Sequence, residues 1–177
     1  VAIVKGALYS GRFTSLAIYP TGEQRPDKVV SAGPNDRVAM FMLTFPKQLL
    51  LYKKTKLIVI FADMYGPNTF TIDLLRAYQQ QYPDKHFTWI TGSDSDITTW
   101  KEGAELMEHW NFCIVPRPGF PIGNFKFPRH AEILNVSSLK RSSSEIVTHL
   151  HAGEKFEYLM AKDAARYIRM WNVYGQK

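Results

Sequence analysis

Short, continuous apolar runs alternate with stretches of helical spacing along the chain. The runs lie at Leu16–Tyr19, Leu57–Phe61, Phe87–Ile90, Phe112–Val115 and Ile133–Val136. Runs without regular polar alternation are typical of strands that are buried on both faces of a sheet. The pattern therefore predicts an α/β fold with a doubly wound, mostly parallel sheet that is covered by helices on both sides.

The stretches between the runs carry the apolar spacing and the start and stop residues of helices. Helices are predicted within Val1–Ser10, after a cap at Asn35-Asp36, from about Thr69 to Pro83, from a capping box at Thr99–Glu102 to Trp110, from Ser142 to about Leu150, and over Lys162–Trp171. In open parallel sheets, ligands bind beyond the carboxyl ends of the strands. Functional side chains are therefore expected directly after each strand.

Composition narrows the class of protein. The chain has 177 residues, with 22 Lys+Arg against 16 Asp+Glu, a net charge of +6, and 45% apolar residues. These values exclude disordered, collagen-like and disulfide-rich chains. Because domains commonly run to about 100–200 residues, we predict a single domain over residues 1–177.

Charge and cysteine content indicate the kind of partner and compartment. One cysteine forms neither an intrachain disulfide nor a cysteine-based metal cluster, which favours an intracellular location, cytoplasmic or nuclear. No apolar run approaches a membrane span, no basic–aromatic pattern suggests nucleic acid, and the five histidines lack zinc-site spacing. The positive balance favours anionic partners such as nucleotides, although solubility alone also explains it.

The serine run Ser142-Ser143-Ser144 comes after the last predicted strand and opens the next helix. Unpaired N–H groups and the helix dipole make such a terminus favourable for phosphate, and a lysine and an arginine directly before it add positive charge. The same serines, with Glu145 three residues after Ser142, also match an ordinary capping box. From these residues alone, phosphate binding and simple capping both stay open.

Five further residues either follow a predicted strand, as Gly92, Asp94 and Arg117 do, or lie in the first turn of the next predicted helix, as Thr71 and Trp100 do. Gly92-x-Asp94 offers a close approach to the backbone and an acceptor for a ribose hydroxyl, or else a turn with a helix cap. Trp100 either stacks on a flat ring or fills the core. Thr71 either donates to a substrate or caps its helix, and Arg117 faces either a phosphate or solvent.

Together with other segments, these residues form an ordered series of short motifs. The series is Tyr19-Pro20-Thr21-Gly22 with Lys28, Arg37-x-x-Met40, Phe70-Thr71-Ile72-Asp73-Leu74-Leu75, Ile90-Thr91-Gly92-Ser93-Asp94 with Trp100, Pro116-Arg117-Pro118-Gly119, Ser142-Ser143-Ser144-Glu145-Ile146, and Ala165-Arg166-Tyr167-Ile168 followed by Asn172-Val173-Tyr174. In this order it resembles the nicotinamide/nicotinate mononucleotide adenylyltransferases of the nucleotidylyltransferase superfamily. The resemblance covers nearly the whole chain.

The resemblance implies a Rossmann-like nucleotidylyltransferase fold and a reaction. ATP would transfer its adenylyl group to nicotinamide or nicotinate mononucleotide, which gives the dinucleotide and pyrophosphate. Mg²⁺ would accompany ATP without a dedicated protein site. Whether the chain forms a homo-oligomer, and which mononucleotide it prefers, stay open.

The resemblance also implies roles for single residues. ATP would be bound by Ser142, Ser143, Ser144, Gly92 and Asp94. The mononucleotide would be bound by Thr21, Gly22, Lys28, Thr71, Trp100 and Arg117, with Trp100 stacked on the pyridine and Thr71 at its carboxamide or carboxylate.

Two departures from the family pattern keep alternatives open. The family's Gly-x-Phe-x-Pro-x-His-x-x-His motif, which contacts ATP phosphates, has no counterpart here, and Gly11-Arg12-Phe13 is followed by Ser15 where proline is expected. We expect Val1 to lie in the helix after that motif, so the first strand and phosphate loop are expected to be missing and no catalytic residue is identified. Val147 stands where the serine motif has arginine. The alternatives are a non-catalytic nucleotide-binding protein of the same fold, and a sibling nucleotidylyltransferase that acts on phosphopantetheine or a cytidylyl acceptor.

Overall fold

The computed structural model describes residues 2–20, 32–45, 54–61, 69–136 and 143–175, and the side chains of residues 143 and 144 are outside that description. The chain divides into two compact units. The terminal unit comprises Ile3–Asn68 and Lys140–Lys177, and the central unit comprises Thr69–Leu139. The single domain expected over residues 1–177 stays a prediction.

Helices and strands follow one another along the described residues. In chain order they are α1 (Ala2–Tyr9), β1 (Ser15–Ile18), α2 (Pro34–Thr44), β2 (Lys56–Val59), α3 (Thr71–Gln81), β3 (Thr88–Gly92), a 3₁₀ helix (Ile97–Thr99), α4 (Gly103–His109), β4 (Asn111–Val115), a 3₁₀ helix (Ile122–Asn124), β5 (His130–Ile133), α5 (Ser143–His151), a 3₁₀ helix (Glu157–Leu159) and α6 (Lys162–Trp171). All pairings between these strands are parallel, as predicted.

The terminal unit contains the parallel pair β1–β2 and a helical core. Leu16 of β1 lies opposite Leu57 of β2. Helix α2 packs against α6, where the Tyr167 hydroxyl donates to Asp36 Oδ1 over 2.9 Å. The buried residues of this core are Phe156, Leu159, Ala165 and Ile168. Because one face of α6 is buried, its apolar residues recur at helical spacing, which explains why this helix could be predicted from the sequence.

The central unit contains a three-stranded parallel sheet in the order β3–β4–β5. Gly92, at the carboxyl end of β3, lies opposite Val115 at the end of β4. The core beneath this sheet consists of Ile72, Leu75, Ile97, Leu106, Phe112 and Ile114. The carboxyl ends of β3 and β4 thus lie at one edge of the sheet, where ligand-binding residues were expected.

The position of β5 was predicted wrongly. The apolar run suggested Ile133–Val136, whereas the strand is His130–Ile133 and pairs with β4 from Asn111 onward. Pairing register rather than apolar content sets these bounds, and Ile133 itself is exposed. Leu134 follows the strand, is buried, and donates its N–H to the Ile114 carbonyl.

Two predicted helix starts also differ from the structure. Gly33 occupies the N-cap of α2 and Pro34 its first position, so Asp36 lies in the first turn instead of capping it. Proline already has the φ of a helix, which explains the earlier start. The capping box expected at Thr99–Glu102 is absent, because a 3₁₀ helix ends at Thr99 and α4 begins at Gly103.

Among the described residues, no helix combines the length and the apolar character that crossing a membrane requires.

Candidate functional site

The structure describes only part of the predicted site. Thr21, Gly22, Lys28 and Ser142 lie outside the described residues. Ser143 and Ser144 are the first two residues of α5, and their side chains are not described. The five predicted residues whose side chains the structure does describe are all in the central unit: Thr71, Gly92, Asp94, Trp100 and Arg117.

A tight turn follows β3 at the carboxyl edge of the sheet. Gly92 is the last strand residue, and Ser93 extends the pairing by donating its N–H to the Val115 carbonyl over 2.9 Å. The Ser95 N–H then donates to the Gly92 carbonyl over 3.2 Å. The turn leaves Asp94 exposed at the edge of the sheet.

Arg117 is presented by a second turn, which follows β4. The Phe120 N–H donates to the Arg117 carbonyl over 3.1 Å, and Gly119 has a φ of 81°. Proline at the second position and glycine with positive φ at the third are typical of a type II turn. The sequence Arg117-Pro118-Gly119-Phe120 thus fixes the backbone from which the arginine extends.

The Arg117 side chain reaches Asp94 across Gly92. Its Nε lies 3.4 Å from Asp94 Oδ1, and both side chains are about one third exposed. A Cβ added to Gly92 would lie 2.1 Å from Asp94 Oδ1 and 2.9 Å from Arg117 Nε. The missing side chain of Gly92, and not an unusual φ, therefore allows Asp94 and Arg117 to approach this closely. We call Gly92–Asp94 together with Arg117 the strand-end turn.

Ser93 is a residue of this turn whose contacts sequence reasoning missed. It is buried, and its hydroxyl donates to the Phe120 carbonyl and accepts from the Arg117 N–H, each over 2.9 Å. These partners are 27 and 24 residues away in the chain. One feature of the sequence could have indicated such a contact. Pro116 and Pro118 have no N–H, so the Arg117 N–H is the only backbone donor of that tripeptide.

Trp100 occupies the bend between the 3₁₀ helix and α4, not the first turn of a helix as predicted. Its N–H donates to the Ile97 carbonyl, and its carbonyl accepts from the Gly103 N–H. A Cβ on Gly103 would lie 2.5 Å from the Ile97 carbonyl oxygen, so this bend also requires a glycine. The indole is partly buried and packs against the central core, which leaves part of it at the surface.

Thr71, the first residue of α3, lies among residues that contact the Trp100 bend. The Lys101 ammonium is 3.0 and 2.9 Å from the two Asp73 carboxylate oxygens and 5.0 Å from the centre of the Phe70 ring. Phe70 is the N-cap of α3 and makes no side-chain capping bond. Lys101 therefore connects the bend at Trp100 with the first turn of α3. We call Trp100–Lys101 together with Phe70–Asp73 the tryptophan segment.

An arginine supports the tryptophan segment from the next turn of α3. Arg76 donates to Glu102 over 3.1 Å and to Glu105 over 3.3 Å. The hydrogen bond from Arg76 lowers the pKa of the Glu105 carboxyl below its ordinary value, and the Trp110 indole N–H, which also donates to it, adds to that effect. These ion pairs are largely exposed, so each contributes little stability on its own.

Each unit also has a hollow. In the terminal unit, a shallow, open hollow of about 330 Å³ is lined by Pro20, Arg37, Met40, Phe41, Thr44 and Tyr174. This set contains residues from three of the motifs in the ordered series. In the central unit, about 370 Å³ lies between residues near the starts of β3 and β4: Gln79, His86, Phe87, Glu105, His109, Trp110 and Asn111. The second hollow is at the amino edge of the sheet and does not include the strand-end turn.

Within the described part of the chain, His, Cys, Asp and Glu side chains do not gather into groups of three that could hold a metal ion.

Comparison with known proteins finds nicotinate-nucleotide adenylyltransferases among the relatives of this chain. No protein-family model matches the chain. A probable nicotinate-nucleotide adenylyltransferase of Thermus thermophilus is 33% identical over 114 residues, and that match covers 63% of this chain and 60% of the relative. A probable nicotinate-nucleotide adenylyltransferase of Frankia alni is 32% identical over 165 residues, which is 89% of this chain and 83% of the relative.

Solved structures share the fold. The Plasmodium falciparum nicotinic acid mononucleotide adenylyltransferase complexed with NaAD superposes with a TM-score of 0.72, 24% identity, and coverage of 91% of this chain and 82% of that one. The same protein complexed with APC superposes with a TM-score of 0.72 and 22% identity, and the match covers 96% of this chain and 88% of that one. The predicted Rossmann-like α/β class is thereby confirmed. Since the Frankia alni match extends over most of both chains, this chain belongs to the nicotinate-nucleotide adenylyltransferase family.

Proposed function

We propose that the protein transfers the adenylyl group of ATP to nicotinate mononucleotide, with formation of the deamido dinucleotide and pyrophosphate. Family membership supports the reaction class, and the names of the relatives favour the acidic over the amidated mononucleotide. The observation that carries the proposal is the strand-end turn, where Arg117 and Asp94 meet over a glycine in a chain of this family. The Plasmodium protein's complexes with NaAD and APC agree with a nucleotide site in this fold.

The mononucleotide is proposed to bind the tryptophan segment and Arg117. The exposed part of the Trp100 indole would stack on the pyridine ring. Thr71 and the first N–H groups of α3, which no side chain of the N-cap residue satisfies, would receive the nicotinate carboxylate. The Arg117 guanidinium would bind on the mononucleotide side, together with Thr21, Gly22 and Lys28.

The residues proposed for ATP are taken from each unit by itself, Gly92 and Asp94 from the central unit and three serines from the terminal unit. Asp94 would accept from a ribose hydroxyl, and Gly92 would let the sugar approach the backbone. Ser142, Ser143 and Ser144 would donate to the phosphates at a helix N-terminus, where the dipole favours negative charge.

Catalysis would proceed by positioning rather than through a covalent intermediate with the protein. A phosphate oxygen of the mononucleotide attacks the α-phosphorus of ATP, and the bond to the bridging oxygen of pyrophosphate breaks as the new bond forms. The protein would hold the two phosphates in line and stabilise charge on the equatorial oxygens. No residue of this chain is assigned as an acid, a base or a nucleophile.

Mg²⁺ is proposed to be held by the phosphate oxygens of ATP and by water. Such an ion commonly binds nucleotide phosphates without an all-protein cage. When bound, Mg²⁺ would neutralise phosphate charge. An intracellular location, cytoplasmic or nuclear, is proposed from the single cysteine alone.

The proposal is tested with an acceptor panel on the full-length gene product. Nicotinate mononucleotide, nicotinamide mononucleotide and phosphopantetheine are each incubated with ATP and Mg²⁺, and the coupled product and pyrophosphate are quantified. Nicotinate mononucleotide is expected to give the highest kcat/KM. Product from phosphopantetheine alone would replace the proposal with the sibling transferase.

A second candidate function is nucleotide binding without catalysis, which Val147 favours. This half-buried residue of α5 occupies the place of an arginine in the serine motif. That candidate predicts saturable binding of ATP and mononucleotide by calorimetry with no pyrophosphate release.

A further inference from the structure

Ser93 joins the turns that follow β3 and β4. It is 8% exposed and is among the few buried polar side chains of the described residues. Its hydroxyl donates to the Phe120 carbonyl and accepts from the Arg117 N–H, each over 2.9 Å. One small, buried side chain therefore satisfies a backbone donor on one arm of the second turn and a backbone acceptor on the other.

The sequence around Arg117 makes this contact hard to replace. Pro116 and Pro118 have no N–H, so the Arg117 N–H is the only backbone donor in that tripeptide. The Phe120 N–H is already used inside the turn, on the Arg117 carbonyl. The hydroxyl of Ser93 is thus the partner that fixes the backbone of Arg117 relative to the end of β3.

Holding the backbone of Arg117 determines where its side chain lies. The Cγ and Nε atoms pass 3.0 and 2.9 Å from the position that a Gly92 Cβ would occupy. The Nε then lies 3.4 Å from Asp94 Oδ1. A shift of the Arg117 backbone would move the guanidinium away from Asp94, because this single contact between partly exposed side chains is weak in water.

We propose that Ser93 is a positioning residue that holds the Arg117 guanidinium beside Asp94 for the mononucleotide. This inference rests on the proposed function, since it takes Arg117 to bind that substrate. Ser93 itself touches neither nucleotide and acts through Arg117.

The kinetic test uses three variants of the full-length gene product. Ser93→Ala should raise the KM for nicotinate mononucleotide about tenfold, because the Arg117 N–H and the Phe120 carbonyl lose their partner. The KM for ATP and kcat should stay near the wild-type values. Ser93→Thr keeps a hydroxyl and should restore most of the affinity. Ser95→Ala removes a hydroxyl of the same turn that contacts Thr91 instead, and should leave every constant unchanged.

A double-mutant cycle separates positioning from general damage. In an Arg117→Ala background, Ser93→Ala should raise the KM no further, since residues that act through one another are not additive. Additive effects, or an unchanged KM in Ser93→Ala, would overturn the inference. If Ser93→Ala does not fold, as judged by its thermal melt, Ser93→Cys takes its place, because a thiol is a weak hydrogen-bonding group of similar volume.

A spectroscopic test is independent of activity. The Nε–H resonance of Arg117, assigned by its loss in Arg117→Lys, should shift and exchange faster with water in Ser93→Ala but not in Ser95→Ala. If the wild type makes no dinucleotide, the proposed function fails while this resonance still reports on positioning. If dinucleotide forms and the resonance is the same in both serine variants, only the inference about Ser93 fails.

Discussion

The strand-end turn and the tryptophan segment are parts of the same unit, but different forces hold them. In the strand-end turn, the buried Ser93 hydroxyl and the space left by the missing side chain of residue 92 set the positions of Asp94 and Arg117. In the tryptophan segment, an exposed ion pair, a ring contact and partial packing on the core set the position of Trp100. Hydrogen bonds between neutral groups and steric limits are insensitive to salt, whereas exposed ion pairs are screened.

This difference indicates that the two parts respond to different changes. A single added methyl group should disturb the strand-end turn because no space is free there. The tryptophan segment should tolerate small changes in shape and respond to salt, because charged groups at the surface connect its parts.

The largest effect is expected from Gly92→Ala. The φ of Gly92 is not positive, so the backbone accepts alanine, but the methyl group would lie 2.1 Å from Asp94 Oδ1. Asp94 and Arg117 must then move, and kcat/KM should fall about a hundredfold, as displacements near 1 Å can cause. The melting temperature should change little, because only flexible side chains have to shift.

Gly123→Ala is the matched control for this change. No atom lies within 4 Å of the Cβ position at Gly123, so both activity and stability should stay close to wild type. Equal kcat/KM values for the two alanine variants would show that the strand-end turn does not bind substrate.

Trp100→Ala is expected to have the next largest effect. Loss of a stacking partner should raise the KM for nicotinate mononucleotide about tenfold, by analogy with base–aromatic contacts of roughly 1–3 kcal/mol, while the KM for ATP changes far less. Trp100→Phe retains a ring and should recover much of the affinity. Equal increases in both Michaelis constants would mean that the indole serves only the core.

Lys101→Met should have a smaller effect. It removes the ion pair with Asp73 and the contact with the Phe70 ring, which together are expected to contribute about 1 kcal/mol or less because they are exposed. The KM for the mononucleotide should rise by a small factor at low salt and match that of wild type at high salt. Lys85→Met, near the opposite edge of the sheet, is the control, and its KM should equal that of the wild type at both low and high salt.

The smallest effect concerns acid stability. Because hydrogen bonding to Arg76 lowers the pKa of Glu105, this pair stabilises the folded state above the ordinary glutamate pKa of 4.5 and loses that contribution as pH falls through the lower folded value. Arg76→Met should therefore flatten the fall in melting temperature below pH 4.5, measured by circular dichroism. Arg166→Met, at an exposed position of α6, should leave the slope of melting temperature against pH unchanged. An unchanged slope in Arg76→Met would contradict the assignment of this acid sensitivity to the Arg76–Glu105 pair.

Prediction from the sequence succeeded where local spacing determines structure. The bounds of α6 match the expected Lys162–Trp171, because Ala164, Ala165 and Ile168 recur on one face of the helix. β5 was placed three residues too late, because its register depends on β4 and not on its own composition.

In the candidate site too, features set by the local sequence were predicted and features set by distant partners were not. Gly92, Asp94 and Arg117 were predicted because they follow strands, and the structure brings these three together, while their binding roles stay predictions. The role of the Ser93 hydroxyl was not visible, since its partners are distant in the chain and no periodic pattern marks them. The link between Lys101 and Asp73 joins positions 28 apart and was missed for the same reason.

The most direct test follows the adenylyl group itself. ATP labelled at its α-phosphorus is incubated with nicotinate mononucleotide, Mg²⁺ and the full-length gene product, and the nucleotides are separated. Our account predicts that the label appears in the deamido dinucleotide in step with release of unlabelled pyrophosphate. Label that stays in ATP, although both nucleotides bind, would contradict adenylyl transfer.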